Sequence, residues 1–394
     1  MRRLLFIDHV DRILGGAEIN LLELLPVIRA SRSWEPLVAC APGSRLESTV
    51  RGLGVETVSH HFPPSLNELR VAGGRLPLAG AWAGWRALRK AQSDLHASLE
   101  RCRPDALISC TNKDHLAAGA AGQRLKIPSY WWVNDIISPD FFAWPVRFAF
   151  VEKARHQARR LVTVSGFARD ALIREGLPEK LIRVIHNGIP VAQYRSVVSG
   201  TLRRGIGVDE DEPVIGFVGR LTPWKGPDFF IRLAAEWVRH GGRGHFVLIG
   251  QAFNEEQSFA DSLRAMVVES GIQDRVHFVP FQKDIATALS DLTVLVHTSQ
   301  RPEPFGRVVV EAMAAGVPVV ASAGGGVPEI IEPGVNGFLA RTGDLADYAK
   351  KLSTLLENPG VRERIAAAAL QTVEGRFSVD RVWRDWESVL TAAA

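Results

Sequence analysis

The segment from residue 301 to 331 constrains the fold of this chain more than any other. It reads RPEPFGRVVVEAMAAGVPVVASAGGGVPEII and follows a short apolar run at residues 294–297. Pro304 disfavours helix before it, and an apolar helix-forming run follows Gly306, so the segment predicts a turn and then a helix. A second apolar run, at residues 317–322, leads into three consecutive glycines. Strand, turn, helix and strand make a βαβ unit, which requires a parallel sheet.

The same alternation runs through the whole chain. Short apolar strands are predicted at residues 4–8, 36–41, 105–109, 129–134 and 161–164, and again at 214–218, 245–249, 276–278 and 294–297. Periodicity is lost at residues 189–205, which predicts a linker. We therefore expect an α/β protein with an N-terminal Rossmann-like domain at residues 1–195 and a second at 196–378.

Composition narrows the class of protein. Hydrophobic residues make up 46% and charged residues 23% of the 394, as in soluble globular proteins. Three cysteines show neither metal spacing nor a disulfide framework, and the N-terminal apolar run stops at Asp8, too early for a signal peptide. We therefore expect a cytoplasmic protein. Residues 1–195 carry a net charge of +9 and residues 196–394 one of −5, so the first half suits an anionic partner. No basic and aromatic array indicates nucleic acid.

Two glutamates in the 301–331 segment are candidates for ligand binding. Glu303 lies in the predicted turn and Glu311 in the apolar helix, where a carboxylate needs a partner that ribose hydroxyls could supply. The first N–H groups of the helix suit a phosphate, Gly306 permits close approach, and the triple glycine offers a second anion site. In the alternative interpretations the two glutamates are solvated or form the acid pair of a glycosidase.

The loop at residues 219–226, GRLTPWKG, follows a predicted strand and precedes a helix. Ligands bind at the carboxyl ends of strands in open α/β sheets. Arg220 and Lys225 could both reach a diphosphate there and neutralise it without a metal. Alternatively, the loop is an ordinary exposed turn with two cations.

Together the two motifs resemble the donor site of retaining glycosyltransferases with the GT-B fold, in particular glycosyltransferase family 4. The resemblance implies two facing Rossmann-like domains and a final helix, residues 379–394, that crosses back to the N-domain. It also implies metal-independent transfer of a sugar from a nucleotide diphosphate sugar to an acceptor that the N-domain binds. The donor is a substrate, and no cofactor is expected.

The resemblance also implies residue roles. Arg220 and Lys225 would stabilise charge on the leaving diphosphate, Glu303 would bind the hydroxyls of the donor sugar, and Glu311 would accept both ribose hydroxyls. The backbone near Phe281 would pair with the base, and Gly16 of the N-domain would approach the phosphate. The backbone would hold sugar and phosphate at Phe305, Gly306, Arg307 and Val308.

One position departs from the family pattern. The family usually has a histidine after the strand that here reads YWWV, where this chain has Asn134. Asparagine hydrogen-bonds but carries neither a proton nor a charge. The leaving phosphate can take the acceptor proton instead, so we expect an enzyme. The alternative is a non-catalytic subunit that binds a sugar nucleotide.

The sequence predicts no metal site and leaves the acceptor open. The acidic run at residues 209–211 reads as a solvated turn, and His60, His61, His115 and His186 show no ligand spacing, so we expect no metal. Residues 80–92 combine tryptophans with arginines and a lysine, which favours either peripheral membrane contact or a helix with its rings in the core. A glycan, a lipid-linked saccharide and a small molecule all remain open as acceptors.

Overall fold

The computed structural model describes residues 1–10, 15–61, 78–197, 200–253 and 256–392. The chain divides into two compact units, and we describe each by itself. The first unit comprises Met1–Asn187 and Val379–Ala394, and the second comprises Gly188–Ser378. The boundary between them falls at residues 187–188, whereas the sequence placed the end of the first domain at residue 195.

The first unit is built around a parallel sheet. Its strands are β1 (Arg2–Ile7), β2 (Trp34–Cys40), β3 (Glu56–Ser59), β4 (Ala106–Ser109), β5 (Ser129–Val133), β6 (Arg160–Thr163) and β7 (Ile182–Val184). Its helices are α1 (Gly16–Ser31), α2 (Arg45–Gly52), α3 (Leu78–Cys102), α4 (Asn112–Leu125), α5 (Trp144–Gln157) and α6 (Gly166–Arg174). Among the described residues the strand order is β3-β2-β1-β4-β5-β6-β7, so the order reverses between β1 and β4.

The second unit repeats this architecture. Its strands are β8 (Val214–Val218), β9 (His245–Ile249), β10 (Val276–Val279), β11 (Val294–His297), β12 (Val319–Ser322) and β13 (Phe338–Ala340). Its helices are α7 (Val191–Arg195), α8 (Thr201–Ile206), α9 (Pro227–Arg239), α10 (Gln257–Glu269), α11 (Ile285–Ser290), α12 (Arg307–Ala314), α13 (Leu345–Glu357) and α14 (Pro359–Arg376). The order β10-β9-β8-β11-β12-β13 reverses between β8 and β11.

Burial explains why these runs form parallel strands. Residues 4–7 of β1 are completely buried, and so are residues 319–321 of β12. Helices cover both faces of a parallel sheet, so its inner strands are continuous apolar runs rather than alternating ones. The doubly wound α/β architecture expected from the sequence is confirmed in both units.

The final helix, α15 (Val379–Thr391), belongs to the first unit, as the resemblance implied. It lies against α1. Its buried side chains include Val382, Trp386 and Leu390, which share one helical face, and the ring of Trp386 meets that of Trp132 edge-on at 5.5 Å. Burial of this tryptophan pair ties the end of the chain to the first sheet.

Two sequence expectations need revision or restriction. The stretch at residues 189–205 is not a structureless linker, because it contains the short helices α7 and α8. In residues 80–92 the exposed side chains include Arg86, Arg89 and Lys90, whereas those of Trp82 and Trp85 lie outside the described residues. Within the part of the chain that the structure describes, no helix is long and apolar enough to cross a membrane.

Candidate functional site

The candidate site lies in the second unit, where the strand order reverses. The loops that follow β8 and β11 meet there and are joined by hydrogen bonds. The backbone N–H of Gln300 donates to the carbonyl of Trp224 at 2.8 Å, and the hydroxyl of Thr298 donates to the carbonyls of Lys225 and Gly226 at 3.1 and 2.9 Å. In open α/β sheets this crevice at the carboxyl ends of the strands is where ligands bind.

Glu303 is the buried centre of the site, with 6% of its surface exposed. Its Oε1 accepts hydrogen bonds from Lys225 Nζ at 2.5 Å, from His297 Nε2 at 3.0 Å and from Ser299 Oγ at 2.5 Å. Burial alone would raise the pKa of this carboxyl, but Lys225 and His297 together hold it well below its ordinary value. Glu303 is therefore an ionised group that can only accept hydrogen bonds.

His297 is a member of the site that sequence reasoning missed. It is the last residue of β11 and is 5% exposed. Its Nε2 faces Glu303, its Nδ1 lies 3.1 Å from Ser322 Oγ, and its carbonyl accepts a hydrogen bond from the Tyr348 hydroxyl at 3.0 Å. The network assigns the ring proton to Nε2. The sequence signal that could have identified His297 as a site residue is a polar side chain at the end of an apolar strand.

Glycines fix the turn that carries Glu303. Gly325 has φ +66°, and a Cβ built on it would lie 2.0 Å from the carbonyl oxygen of Glu303. Gly326 donates its N–H to that oxygen at 2.9 Å, while Gly324 donates to Ser322. The triple glycine therefore positions the Glu303 backbone, and these two N–H groups are not available to an anion. The first turn of α12 remains, preceded by Gly306 at φ +110°.

Glu311 lies on α12 and is paired with a neighbour on the same helix. The helix begins at Arg307, so Glu311 is little more than one turn from its start. Arg307 Nε donates to Glu311 Oε1 at 2.7 Å, with 12% and 10% of the two side chains exposed. The buried carboxylate of Glu311 was expected to need a ligand as its partner, but the guanidinium of Arg307 takes that place. The side chain of Arg307, and not its backbone alone, therefore belongs to the candidate site.

Other expected site residues lie around this centre. Phe305 buries its ring against Phe377 at 5.7 Å, and Val308 is half-buried in the first turn of α12. Phe281 follows β10 with 51% of its surface exposed.

Arg220 is not part of the Glu303 network. Its guanidinium lies over the Phe253 ring at 5.0 Å and 4.0 Å from Glu256, with 40% of its side chain exposed.

Two expected site residues belong to the first unit. Gly16 is the first residue of α1, and the preceding Gly15 donates its N–H to the Glu18 carboxylate at 2.5 Å. Asn134 follows β5, and its Nδ2 donates to the carbonyls of Cys110 at 3.3 Å and Trp132 at 3.2 Å. The amide donors of Asn134 therefore hold the ends of β4 and β5 together.

Two of the histidines that sequence spacing set aside have different surroundings. His115 is a core residue: burial lowers its pKa to about 3, and its ring stacks on Trp131 at 5.1 Å. His60 instead faces Asp114, with which it forms a buried hydrogen bond of 3.1 Å. The described residues hold no group of three or more histidine, cysteine or acidic side chains suited to a metal ion. Metal independence stays a prediction.

Comparison with known proteins agrees with these features. A family profile described as "Glycosyl transferases group 1" matches residues 199–372, and one described as "Glycosyltransferase Family 4" matches residues 14–193. The D-inositol 3-phosphate glycosyltransferase of Nocardia farcinica is 34% identical over 226 residues, which cover 57% of this chain and 47% of that protein. The enzyme of the same name from Acidothermus cellulolyticus is 34% identical over 239 residues, with 57% and 53% covered. The chain therefore spans about half the length of the curated relatives it matches.

Among solved structures, the chain is similar over its whole length to Anabaena Alr3699/HepE, crystallised with UDP and glucose and with UDP-glucose. The TM-score is 0.83 and the sequence identity 26%, with 100% of both chains covered. The glycosyltransferase of Rickettsia africae has the same fold, with a TM-score of 0.83 at 16% identity. Adjoining profile matches over both halves and full-length similarity to HepE place the chain in glycosyltransferase family 4, the glycosyl transferases group 1 with the GT-B fold.

Proposed function

We propose that this protein is a retaining glycosyltransferase that moves a sugar from a UDP-sugar of the UDP-glucose type to an acceptor held by the first unit. The observation that carries the proposal is the buried Lys225–Glu303 pair at the strand-order reversal of the second unit. It joins a cation suited to a diphosphate with a carboxylate suited to sugar hydroxyls. The HepE structures with UDP and with UDP-glucose support the choice of donor.

The charges at the site favour binding of a diphosphate sugar. An ammonium group has three donors, so Lys225 can keep its hydrogen bond to Glu303 and also bind a phosphate oxygen. The positive end of the α12 helix dipole adds partial positive charge. Glu303, held ionised by Lys225 and His297, accepts hydrogen bonds from sugar hydroxyls. Glu311, aligned by Arg307, accepts them from the ribose.

The proposed reaction needs no protein nucleophile. The bond between the anomeric carbon and the diphosphate oxygen breaks, and its electron pair leaves with the diphosphate. The acceptor oxygen bonds to the anomeric carbon on the same face, and its proton passes to the leaving phosphate oxygen. Lys225 and Arg220 stabilise the negative charge that grows on this leaving group. Such a step does not require the histidine that Asn134 replaces.

The site does not suit a glycoside hydrolase. Such an enzyme keeps one carboxyl group protonated as a general acid, with a raised pKa. The pKa of Glu303 is instead held low by Lys225 and His297, despite its burial. Glu311 is salt-bridged to Arg307. Neither glutamate therefore has the environment of a general acid.

One observation favours a second candidate, a subunit that binds a sugar nucleotide without turning it over. The Nδ2 group of Asn134 donates to the carbonyls of Cys110 and Trp132, at the position where the family carries a histidine. Binding of UDP without any consumption of UDP-glucose would support this candidate. Release of UDP from UDP-glucose would exclude it.

We propose further that the acceptor is lipid-linked and is reached at the cytoplasmic face of a membrane. Trp144 and Phe148 are 63% and 54% exposed at the start of α5, and their rings stack at 5.3 Å. Exposed aromatic rings on a basic half of the chain suit the interface of an anionic membrane.

We expect the protein to sediment with vesicles of phosphatidylglycerol and phosphatidylcholine, and we expect the double variant Trp144→Ala/Phe148→Ala not to do so. Val268→Ala, which removes a side chain in a residue 66% exposed in the second unit, is the matched control. Equal sedimentation of all three proteins would refute membrane contact.

The experiment that tests the main proposal combines binding with product analysis. Calorimetry with UDP, GDP and dTDP identifies the base, and we expect binding of UDP alone. NMR of the sugar released from UDP-glucose then identifies the anomer formed first, for which we expect the α configuration of the donor. Absence of binding by every nucleotide would refute a donor site in the second unit. First formation of the β anomer would refute retention.

A further inference from the structure

The hydrogen bonds that the described residues make to the Glu303 carboxylate all fall on one of its two oxygens. Oε1 accepts from Lys225 Nζ, His297 Nε2 and Ser299 Oγ. Within the described part of the chain Oε2 has no partner, yet it is not one of the fully enclosed atoms that lack one, so it holds part of the 7% of the side chain that is exposed. A carboxylate oxygen has about two lone-pair sites, so Oε1 is saturated and Oε2 is the oxygen left for a ligand.

The hydrogen bonds on Oε1, rather than the glutamate itself, decide which oxygen faces the crevice. The last torsion of a glutamate side chain is broad and roughly two-fold, so an unrestrained carboxylate could turn and present either oxygen. Lys225 restrains this rotation little, because an ammonium group on a flexible four-carbon stem can follow the oxygen with which it pairs. The direction of the carboxylate therefore depends on the two shorter side chains, His297 and Ser299.

His297 is itself held at three points. Its backbone ends β11, where it pairs with Ala321 of β12. Its carbonyl accepts a hydrogen bond from the Tyr348 hydroxyl of α13 at 3.0 Å, and its Nδ1 lies 3.1 Å from Ser322 Oγ. Because the Ser322 hydroxyl donates to Nδ1, the ring proton is on Nε2 and points at Glu303. A strand, a helix and a serine thus fix the direction of the imidazole.

Ser299 links the imidazole to the same carboxylate oxygen. Its Oγ lies 3.1 Å from His297 Nε2 and donates to Glu303 Oε1 at 2.5 Å. All three residues are buried, so an oxygen that lost its donors by rotation would be left without partners at a cost in free energy. The three side chains therefore form a closed triangle of hydrogen bonds that holds Oε1 in place.

We propose that His297 is a positioning residue for donor recognition: with Ser299 it turns Glu303 so that Oε2 alone meets the donor sugar, and Glu303 therefore selects for a single sugar hydroxyl. The inference narrows the sugar contact of the proposed function, on which it rests. One hydrogen bond to a charged group in a buried site changes affinity about tenfold or more. A donor that lacks this hydroxyl, or carries it on the other face of the ring, is thus bound less tightly.

Matched variants separate this role from a purely structural one. In His297→Asn the amide nitrogen stands as many bonds from the backbone as Nδ1 does, so the side chain can reach Ser322 but not Glu303. In His297→Gln the amide nitrogen stands as many bonds away as Nε2 does, so the donor to Glu303 is kept. In Glu303→Gln the three donors keep the amide oxygen at the position of Oε1, which puts an NH₂ group, unable to accept, where Oε2 was.

Calorimetry measures the Kd of UDP-glucose and of its 2-, 3-, 4- and 6-deoxyglucose analogues, with UDP as the reference. The deoxy penalty is a ratio of two Kd values for the same protein, so a general weakening of the site cancels. For wild type we expect one analogue to carry a penalty of about tenfold or more that Glu303→Gln removes. We expect His297→Asn to lose most of this penalty and His297→Gln to keep it within about twofold.

Four results would overturn the inference. Similar penalties for two or more hydroxyls, all removed by Glu303→Gln, would show that both oxygens bind the sugar. An unchanged penalty in His297→Asn would show that His297 does not set the direction of the carboxylate. Equal loss in His297→Gln would show that the effect does not pass through the hydrogen bond to Glu303. Absence of any penalty that depends on Glu303 would remove the sugar contact itself.

Binding of UDP by the wild-type protein distinguishes these failures from failure of the proposed function. If wild type binds UDP, each of the four results leaves the donor site of the second unit standing and refutes only the role of His297 and Oε2. If wild type binds neither UDP nor UDP-glucose, the proposed function fails and this inference fails with it.

Discussion

The ribose contact proposed for Glu311 can be tested without knowledge of the acceptor. In Glu311→Gln the side chain keeps its shape, and its amide oxygen can still accept the hydrogen bond from Arg307 Nε that wild type makes at 2.7 Å. The other terminal atom becomes an NH₂ group, which cannot accept a hydrogen bond from a hydroxyl. The variant therefore removes the acceptor for the ribose while the helix keeps its internal pair.

The expected loss follows from the number of hydrogen bonds. In the proposed contact the two ribose hydroxyls each donate to the carboxylate, and a hydrogen bond to a charged group contributes about 1.5 kcal/mol at the lower end of its range. Loss of both would weaken UDP binding by about 3 kcal/mol, or on the order of a hundredfold in Kd. The 2′,3′-dideoxy analogue of UDP lacks both hydroxyls, so its Kd should be the same for wild type and variant.

Calorimetry of the four combinations of protein and ligand measures the coupling between Glu311 and the ribose. An equal loss for UDP and for its dideoxy analogue would show that the variant disturbs the site in general and would refute the ribose contact. Arg307→Met is the companion variant, because it leaves the carboxylate but removes its guanidinium partner. We expect it to lower stability by about 1–3 kcal/mol, since Glu311 is then left nearly buried and unpaired.

Further predictions concern the Glu303 turn and the cation beside it. Lys225→Met should lower kcat for UDP-glucose at least about a hundredfold, because the growing charge on the diphosphate loses a cation; turnover near wild type would refute this role. Gly325→Ala, whose Cβ would lie 2.0 Å from the Glu303 carbonyl oxygen, should lower the melting temperature and UDP-glucose turnover, whereas Gly324→Ala, whose nearest atom would be 3.9 Å away, should change neither. In Glu303→Gln the free energy of unfolding should fall less steeply than in wild type as the pH is lowered into the acid range. Because the folded pKa of Glu303 is depressed, its contribution is complete above the ordinary value of 4.5 and is lost as the pH falls below it; a parallel loss in the variant would contradict this. Asn134→His should fold and still bind UDP, as calorimetry would show; loss of binding would contradict the assignment of this position.

The sequence predicted those parts of the fold and site that depend on local pattern. Continuous apolar runs identified most of the parallel strands but not the short strands β3 and β13. The ordered turn, helix and triple glycine identified the segment that carries Glu303 and Glu311. The same glycines were assigned to an anion, yet two of them bond to Ser322 and to the Glu303 carbonyl. A glycine motif indicates that two backbone segments approach closely, but it does not indicate which segments these are.

Contacts between distant residues could not be predicted in this way. His297 ends an apolar run and looks like the end of a strand, although its ring bonds to Glu303. His9 and His60 meet Asp114 from positions 105 and 54 residues away. Such clusters follow from the strand order, which places the ends of β1 and β4 side by side. A single sequence without its sheet order gives no indication that these residues are neighbours.

The proposed mechanism uses two cationic side chains and no metal, and the arrangement around Glu303 explains why two cations are needed. Lys225 is already bonded to a carboxylate that stays ionised, so part of its charge is balanced before a donor arrives. A diphosphate adds negative charge on both phosphates next to this pair, and burial makes uncompensated charge costly. A second cation must therefore approach. Arg220 is suited to this, because its guanidinium rests on the Phe253 ring with 40% of its side chain exposed, and its ion pair with Glu256 is long, at 4.0 Å. In the proposed mechanism, Arg220 lies outside the Glu303 network and so brings a second cation to the leaving group.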